Sequence, residues 1–196
     1  TARSDRRSKQ DAPFMNFSRH VRQALVALAA GFLLLAAGCS SDEQISVLTC
    51  PQVYLVQDAT HYVEYAPGPG TDLIDVRYDA QIVSIEWLCN FLTDQNRVEM
   101  EVRFGMRAMM GPSATESQTR FPYFVVVADP EGNIIAKQVF GIDIGFPGNA
   151  IEIGHVESVF QKLTYSSIAW AAEYTVYIGF QLTPEQLALA RSGRGQ

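Results

Sequence analysis

The sequence predicts a mainly β protein: an antiparallel β-sandwich of six to seven strands with a short C-terminal helix, with a small β-barrel as the alternative. Three observations lead to this fold class: a segment in which apolar and charged residues alternate, a Pro-Gly turn between two apolar segments, and a helix-start signal near the C terminus. Apolar residues make up 47% of the 196 residues, so the chain can bury a sizeable core.

The clearest strand signal lies between Arg97 and Met106. Alternate positions of this segment are apolar, and the positions between them are mostly charged: Val98, Met100, Val102, Phe104 and Met106 alternate with Glu99, Glu101, Arg103 and Gly105. Successive side chains of a strand point to opposite faces of the sheet. The pattern therefore predicts an antiparallel strand with one face on the core and the other in solvent.

A hairpin is predicted around the turn Asp129 to Asn133, because Pro130 and Gly132 suit a tight turn. The flanking segments are Tyr123–Ala128 and Ile134–Ile144. Further strand segments are Val53–Val56, Ile74–Cys89, Ile151–Tyr165 and Tyr174–Leu182, and Asn90–Asn96 is a predicted turn region. This number of short strands with intervening turns is typical of an immunoglobulin-like sandwich.

The C-terminal segment changes from strand to helix signals. Thr183 is a predicted N-cap, Pro184 suits the first helical position, and Gln186 completes a capping box. We expect a helix from about Pro184 to Arg191 that packs Leu187 or Leu189 against the end of the sandwich. Residues 193–196 are expected to form a flexible tail.

The N-terminal part of the chain has the organisation of a targeting segment. Residues 1–14 are polar and are predicted to be a disordered upstream extension, with Met15 as the functional start. Arg19 and Arg22 give a positive region, and an uncharged apolar run of fifteen residues follows, Ala24–Gly38. This run is shorter than the roughly 20 residues of a transmembrane helix but suits the apolar region of a signal peptide.

The apolar run ends in Leu35-Ala36-Ala37-Gly38-Cys39, which resembles the lipobox of bacterial prolipoproteins. The resemblance implies that residues 15–38 are a signal peptide cleaved between Gly38 and Cys39. It also implies that Cys39 carries a diacylglycerol on its sulfur and a fatty acyl group on its new amino terminus. The commonest lipobox has Leu where this chain has Ala36. The resemblance covers residues 15–41 and does not reach the domain.

Ser40 follows the lipidated position and resembles the signal that sorts lipoproteins to the outer membrane. We therefore expect a lipid-anchored protein on the periplasmic face of the outer membrane. The outer leaflet of the inner membrane and the cell surface are the alternatives. Residues 39–49 would form a short tether, and residues 50–192 the domain. Membrane lipid is then the first expected partner, since two or three acyl chains give stable anchoring.

The chain from Cys39 onward is strongly acidic. It holds nine of the fifteen basic and nineteen of the twenty-one acidic side chains, which gives a net charge of −10. Nucleic acid is therefore not an expected partner, because phosphate binding requires a basic surface.

Two cysteines remain once Cys39 is assigned to the lipid. Cys50 and Cys89 are an even pair in an oxidising compartment, so we expect a structural disulfide between them. Such a bridge would close a loop of about 40 residues and stabilise the domain by about 4 kcal/mol in the chain-entropy model. A redox or metal site is less favoured, since the chain has no Cys-x-x-Cys motif.

The sequence contains no catalytic motif that we recognise, and no metal site or non-covalent cofactor is expected. His61 and His155 lie far apart in sequence and lack zinc-ligand spacing. Glu99 and Glu101 share one strand face, but that row continues to positive charges, which favours an ordinary solvent face. Met106, Met109 and Met110 form a cluster that is expected to fill core space rather than to bind copper.

Two loops are candidates for binding. Gly111–Arg120 is polar and long for a hairpin, and Gly145–Asn149 is expected to expose Phe146 among glycines. The sequence thus favours a non-catalytic structural or protein-interaction module that docks an envelope protein by a face or a free strand edge. An envelope hydrolase whose site is assembled only in the fold is one alternative. A carrier of a small ligand or a metal is the other.

Overall fold

The computed structural model describes residues 48–193, which form two four-stranded sheets with a shared core. In chain order the strands are β1 (Gln52–Leu55), β2 (His61–Tyr65), β3 (Val76–Leu92), β4 (Arg97–Met110), β5 (Gln118–Ala128), β6 (Ile134–Gly145), β7 (Glu152–Thr164) and β8 (Thr175–Phe180), and the helices are α1 (Ile168–Ala171) and α2 (Pro184–Arg191). The first sheet has the order β1-β8-β5-β6 and the second β2-β3-β4-β7. The predicted β-sandwich is confirmed, and within residues 48–193 the sheets do not close into a barrel.

Large aromatic side chains fill the space between the sheets. The largest fully buried residues include Tyr78, Phe104, Phe121, Tyr123 and Phe180, which come from both sheets. Phe104 of β4 meets Tyr123 of β5 edge to face, with 5.2 Å between the ring centroids. Rings in such offset arrangements add about 0.5–1.5 kcal/mol per pair to their area burial, so these contacts help to hold the two sheets together.

The structure confirms β4, the strand that the alternation of apolar and charged residues predicts. Its inward side chains, from Val98 to Ala108 at every second position, are at most 2% exposed. It is a central strand, paired antiparallel with both β3 and β7. The hairpin between β5 and β6 is confirmed as well, since Asp129 accepts a hydrogen bond from the backbone N–H of Asn133 at 2.7 Å.

Strand β3 changes its inward face halfway along its length. Before a bulge between Ile82 and Ser84 the even-numbered residues are buried, Tyr78 and Ile82 among them. Beyond the bulge the odd-numbered residues Trp87 and Cys89 pack against the core. A bulge adds one residue to one strand of a pair and so shifts the alternation by one position. This is why Cys89 lies on the core side of the sheet.

Residues 48–193 form eight strands, one more than the sequence predicts, because β2 is not recognisable as a strand in the sequence. Only Tyr62 of its five residues is buried, so the segment lacks the apolar alternation of a half-buried strand. Tyr62 packs edge to face on Phe121 at 5.4 Å. One strand pair is also parallel rather than antiparallel: β1 pairs with β8, and Val53 lies opposite Val176.

Helix α2 spans the predicted residues, and its predicted N-cap and capping box are present. The Oγ1 atom of Thr183 accepts from the N–H of Gln186 at 3.2 Å, and the side chain of Gln186 accepts from the N–H of Thr183 at 2.9 Å. The helix packs on the 3-10 turn Gln57–Ala59 and on strand β2. There Gln186 Nε2 donates to the carbonyl of Val63 at 2.7 Å, so α2 covers the free edge of β2.

The loop that was expected to expose Phe146 does not do so. Phe146 is 3% exposed and stacks on Tyr78, with 6.4 Å between the ring centroids. It continues the inward alternation of β6, after Ile142 and Ile144. The expectation of an exposed aromatic at this loop is therefore wrong. Gly111–Arg120 is shorter than expected, since β5 begins at Gln118; it connects the second sheet to the first.

Within residues 48–193 no helix combines the length and the apolar character that crossing a bilayer requires.

Candidate functional site

The lipid-anchor residues fall outside the part of the chain that the structure describes. Gly38, Cys39 and Ser40 precede residue 48, as do the predicted extension, signal peptide and most of the tether. Gly193 is the last described residue, so nearly all of the predicted tail is outside as well. The lipobox therefore stays a prediction from the sequence.

The predicted disulfide is present. Cys50 and Cys89 are bonded, with their Cα atoms 5.8 Å apart and 39 positions of sequence between them. Cys50 lies just before β1 of the first sheet, and Cys89 lies on β3 of the second. The bridge therefore joins the two sheets covalently, directly before β1.

The two histidines form separate pairs with carboxylates. His61 Nε2 lies 2.7 Å from Asp79, and His155 Nε2 lies 3.1 Å from Glu157. Glu157 also accepts a hydrogen bond from the hydroxyl of Tyr123 at 3.2 Å. His61 is on β2 and His155 on β7, the opposite edges of the second sheet. The structure therefore does not bring the two histidines together.

The cluster of Tyr123, Glu157 and His155 does not have the properties of an activated nucleophile. Burial raises the pKa of the Tyr123 phenol, and the negative charge and hydrogen bond of Glu157 raise it further. A phenol in this environment keeps its proton and acts as a hydrogen-bond donor. The cluster therefore serves to join the sheets near their β6 and β7 edges rather than to attack a substrate.

The carboxylates of β4 form an ordinary charged face, as the sequence indicates. Arg103 Nε donates to Glu101 at 2.7 Å, and Arg97 lies 3.1 Å from Glu99. Lys162 of the neighbouring strand lies 3.6 Å from Glu99. Each carboxylate thus has a cationic partner. Within residues 48–193 no group of three or more His, Cys, Asp or Glu side chains is arranged to hold a metal ion.

The methionine cluster divides between the core and a surface pocket. Met106 is 2% exposed and belongs to the core, as expected. Met110 also packs against the core, as expected, and Met109 and Met110 both line a pocket of about 570 Å³ together with Leu73, Val76, Asp79, Gly111, Pro112, Ile151 and Glu152. Most of these side chains are apolar. We call it the apolar pocket, and it places Met109, which lies opposite Asp79, at a surface position that the sequence does not predict.

A second pocket, of about 410 Å³, adjoins the apolar pocket because both are lined by Asp79 and Met109. Its remaining lining is mostly polar: Gln57, Asp58, Thr60, His61, Gln81, Arg107 and Ala190. We call this the polar pocket, and the two pockets together the outer groove. Asp79 lies opposite Met109, and Met109 lies opposite Glu152, across three neighbouring strands. These three residues place part of the outer groove on the solvent face of the second sheet, near the end where β3 begins.

Sequence reasoning found part of this site. The suspected loop after β4 contributes Gly111 and Pro112. It missed Leu73 and Ile151, although these are 85% and 67% exposed. The available signal was an aliphatic residue within each of two turn-rich segments, Gly68–Asp75 and Pro147–Glu152. Isolated exposed aliphatic residues are common on protein surfaces, and only the fold brings these two to the same pocket.

Among models of protein families, curated proteins and solved structures, comparison with this chain found no match.

Proposed function

We propose that this chain is an envelope lipoprotein, anchored through a lipid on Cys39, whose β-sandwich binds another envelope protein without catalysing a reaction. The anchor rests on the lipobox and on Ser40, which favours the periplasmic face of the outer membrane. The single observation that carries the binding role is the outer groove. The cluster around Tyr123 does not support a hydrolase, since burial and the charge of Glu157 raise the pKa of that phenol.

The outer groove has the composition of a protein-binding surface. Its centre is apolar, and a more polar region adjoins it, which matches the apolar core and polar rim of protein interfaces. Methionine side chains adapt their shape to irregular partners, so Met109 and Met110 suit contact with a partner side chain. The exposed aliphatic residues Leu73 and Ile151 add apolar surface that a partner would bury.

A small-ligand carrier is the second candidate, and the size of the apolar pocket favours it. Pockets that bind small molecules span about 300–1,000 Å³ and are mostly apolar, and this pocket has about 570 Å³. The carrier hypothesis predicts that the purified protein retains a small molecule. Native mass spectrometry would detect it as a mass that is lost on unfolding, and finding it in stoichiometric amount would favour the carrier over the interaction module.

Site-specific photo-crosslinking in intact cells tests the interaction module. A photoreactive residue is placed at Ile151, in the apolar pocket, and at Leu88 as the matched control. The two side chains are 67% and 70% exposed, and Leu88 lies on the same sheet near its other end. We expect one adduct of defined mass, in near-stoichiometric yield, from position 151 and not from position 88.

Equal low-yield adducts from both positions would count against the proposal, because they would reflect random collisions. Adduct formation from position 88 alone would place the partner at the other end of the sheet and would rule out the outer groove as the binding surface.

A further inference from the structure

The apolar pocket lies within a concentration of negative charge. Asp79 and Glu152 line the pocket itself. Asp72 and Asp75 flank Leu73, whose side chain is also part of the lining. We propose that the outer groove binds a protein segment in which a bulky apolar side chain is flanked by Lys or Arg. This inference rests on the proposed function and names the chemistry of the partner.

Two arginines near the groove are paired with carboxylates that do not belong to this cluster. Arg191 pairs with Asp58 at 2.8 Å, and Arg77 pairs with Glu64 at 2.7 Å. Both are therefore engaged with acids other than the four around the apolar pocket. Arg107 reaches only the side-chain oxygen of Gln81, at 3.5 Å.

Asp79 and Glu152 differ in what they already bind. Asp79 contacts His61 at 2.7 Å. The side chain of Glu152 is exposed and makes no hydrogen bond or ion pair within the described residues. A Lys or Arg of a bound segment would therefore meet Glu152 without having to break an existing ion pair.

The electrostatic field of this cluster reaches a neighbouring side chain. Burial raises the pKa of Tyr65, and the charges of Asp79, Asp72 and Asp75 raise it further. The three carboxylates therefore act together at one point beside β2. A partner cation would experience the same combined field, which attracts positive charge over about 10 Å at moderate salt.

The same charges oppose a membrane as the occupant. Exposed aliphatic residues such as Leu73, Ile74 and Ile151 could in principle enter a bilayer surface. Peripheral segments that bind anionic lipid surfaces carry Lys and Arg rather than Asp and Glu. An acidic rim on an acidic chain therefore favours a basic protein segment over an anionic lipid surface.

Short blocked peptides of defined sequence test the inference directly. The probe is Gly-Lys-Trp-Lys-Gly, and its two matched controls replace both Lys by Glu or the Trp by Ala. The full chain is placed in discs of zwitterionic lipid and carries labelled methionine methyl groups. Met109 and Met110 report on the apolar pocket, whereas the buried Met100 and Met106 serve as internal controls.

We expect the Lys-Trp-Lys peptide to shift the Met109 and Met110 signals and to leave those of Met100 and Met106 nearly unchanged. Its affinity at low salt should exceed that of the Glu peptide about tenfold, and this ratio should shrink as salt screens the charges. Glu152→Gln should weaken binding about two- to fivefold, the range of an exposed ion pair. The control Glu131→Gln, in the hairpin of the first sheet, should not change it.

Four results would overturn the inference. The Glu peptide binding as tightly as the Lys peptide would show that charge is not recognised. Equal effects of Glu152→Gln and Glu131→Gln would show that the charge effect is not local. Shifts of the two methionine signals by anionic phosphatidylglycerol vesicles, with no shift by the peptides, would identify a membrane as the occupant. If the peptides do not bind while position 151 still crosslinks to one protein, this inference fails and the proposed function stands.

Discussion

Tyr123 illustrates how one buried residue connects packing with pH dependence. Its ring packs on Phe104 and Phe140, and its hydroxyl donates to Glu157. Burial and the nearby carboxylate both disfavour the phenolate, so its pKa lies above the usual tyrosine value of about 10. A raised pKa means that the folded state holds the proton more tightly than the unfolded state. The stability that Tyr123 contributes is therefore complete below about pH 10 and falls as the pH rises above it.

A spectrophotometric titration of the tyrosines checks this prediction. The chain has eight tyrosines, and we expect some of them to ionise late while the protein is folded. Tyr123→Phe should remove amplitude from the late phase only. In denaturant all tyrosines should ionise together near pH 10. Loss of early amplitude in Tyr123→Phe would show that the phenol is not shielded as the structure indicates.

At the scale of elements, an amide side chain joins helix α2 to strand β2. Gln186 completes the capping box with Thr183 and donates to the carbonyl of Val63 on the free edge of β2. Free strand edges expose backbone groups that can pair with other chains, and proteins often cover them. The helix that the sequence predicts thus has a function in the fold that the sequence does not reveal.

Replacing Gln186 by Ala should remove both contacts. Each of the two lost hydrogen bonds is worth about 0.5–1.5 kcal/mol, so we expect a total of about 1–3 kcal/mol. Chemical denaturation measures this change in the free energy of unfolding. Glu185→Ala, on the same helical turn, is the control and should change it by less than about 0.5 kcal/mol. If the two variants are equally stable, α2 does not hold the β2 edge.

Regular elements could be predicted from the sequence where one strand face is buried. The alternation in β4, the turn before β6 and the capping signal of α2 each lie in residues close together in sequence, so each predicts its element without knowledge of the fold. Strand β2 could not be predicted, because only one of its five residues is buried and its sequence therefore shows no alternation of apolar and polar residues. The bulge in β3 interrupts the alternation of that strand, because the inward side chains change there from even-numbered to odd-numbered positions.

Features of the whole molecule depend on residues far apart in sequence. The parallel pairing of β1 with β8 joins segments more than 100 residues apart. The Cys50–Cys89 disulfide was predictable because compartment and cysteine count limit the possible pairings to one once Cys39 is assigned. The outer groove was not, since Leu73, Met109 and Ile151 come together only when β3, β4 and β7 pair. Sequence reasoning therefore found the fold class and the disulfide but only the edge of the binding site.

The proposed role of the molecule depends on where its domain is held, and this depends on Cys39. The most direct test is the intact mass of the chain isolated from bacterial membranes. The account predicts a chain that begins at Cys39, carries the added mass of a diacylglycerol and a fatty acyl group, and lacks two hydrogens because Cys50 and Cys89 are bonded. A chain that still begins at Met15, or one that begins at Cys39 without acyl mass, would contradict it.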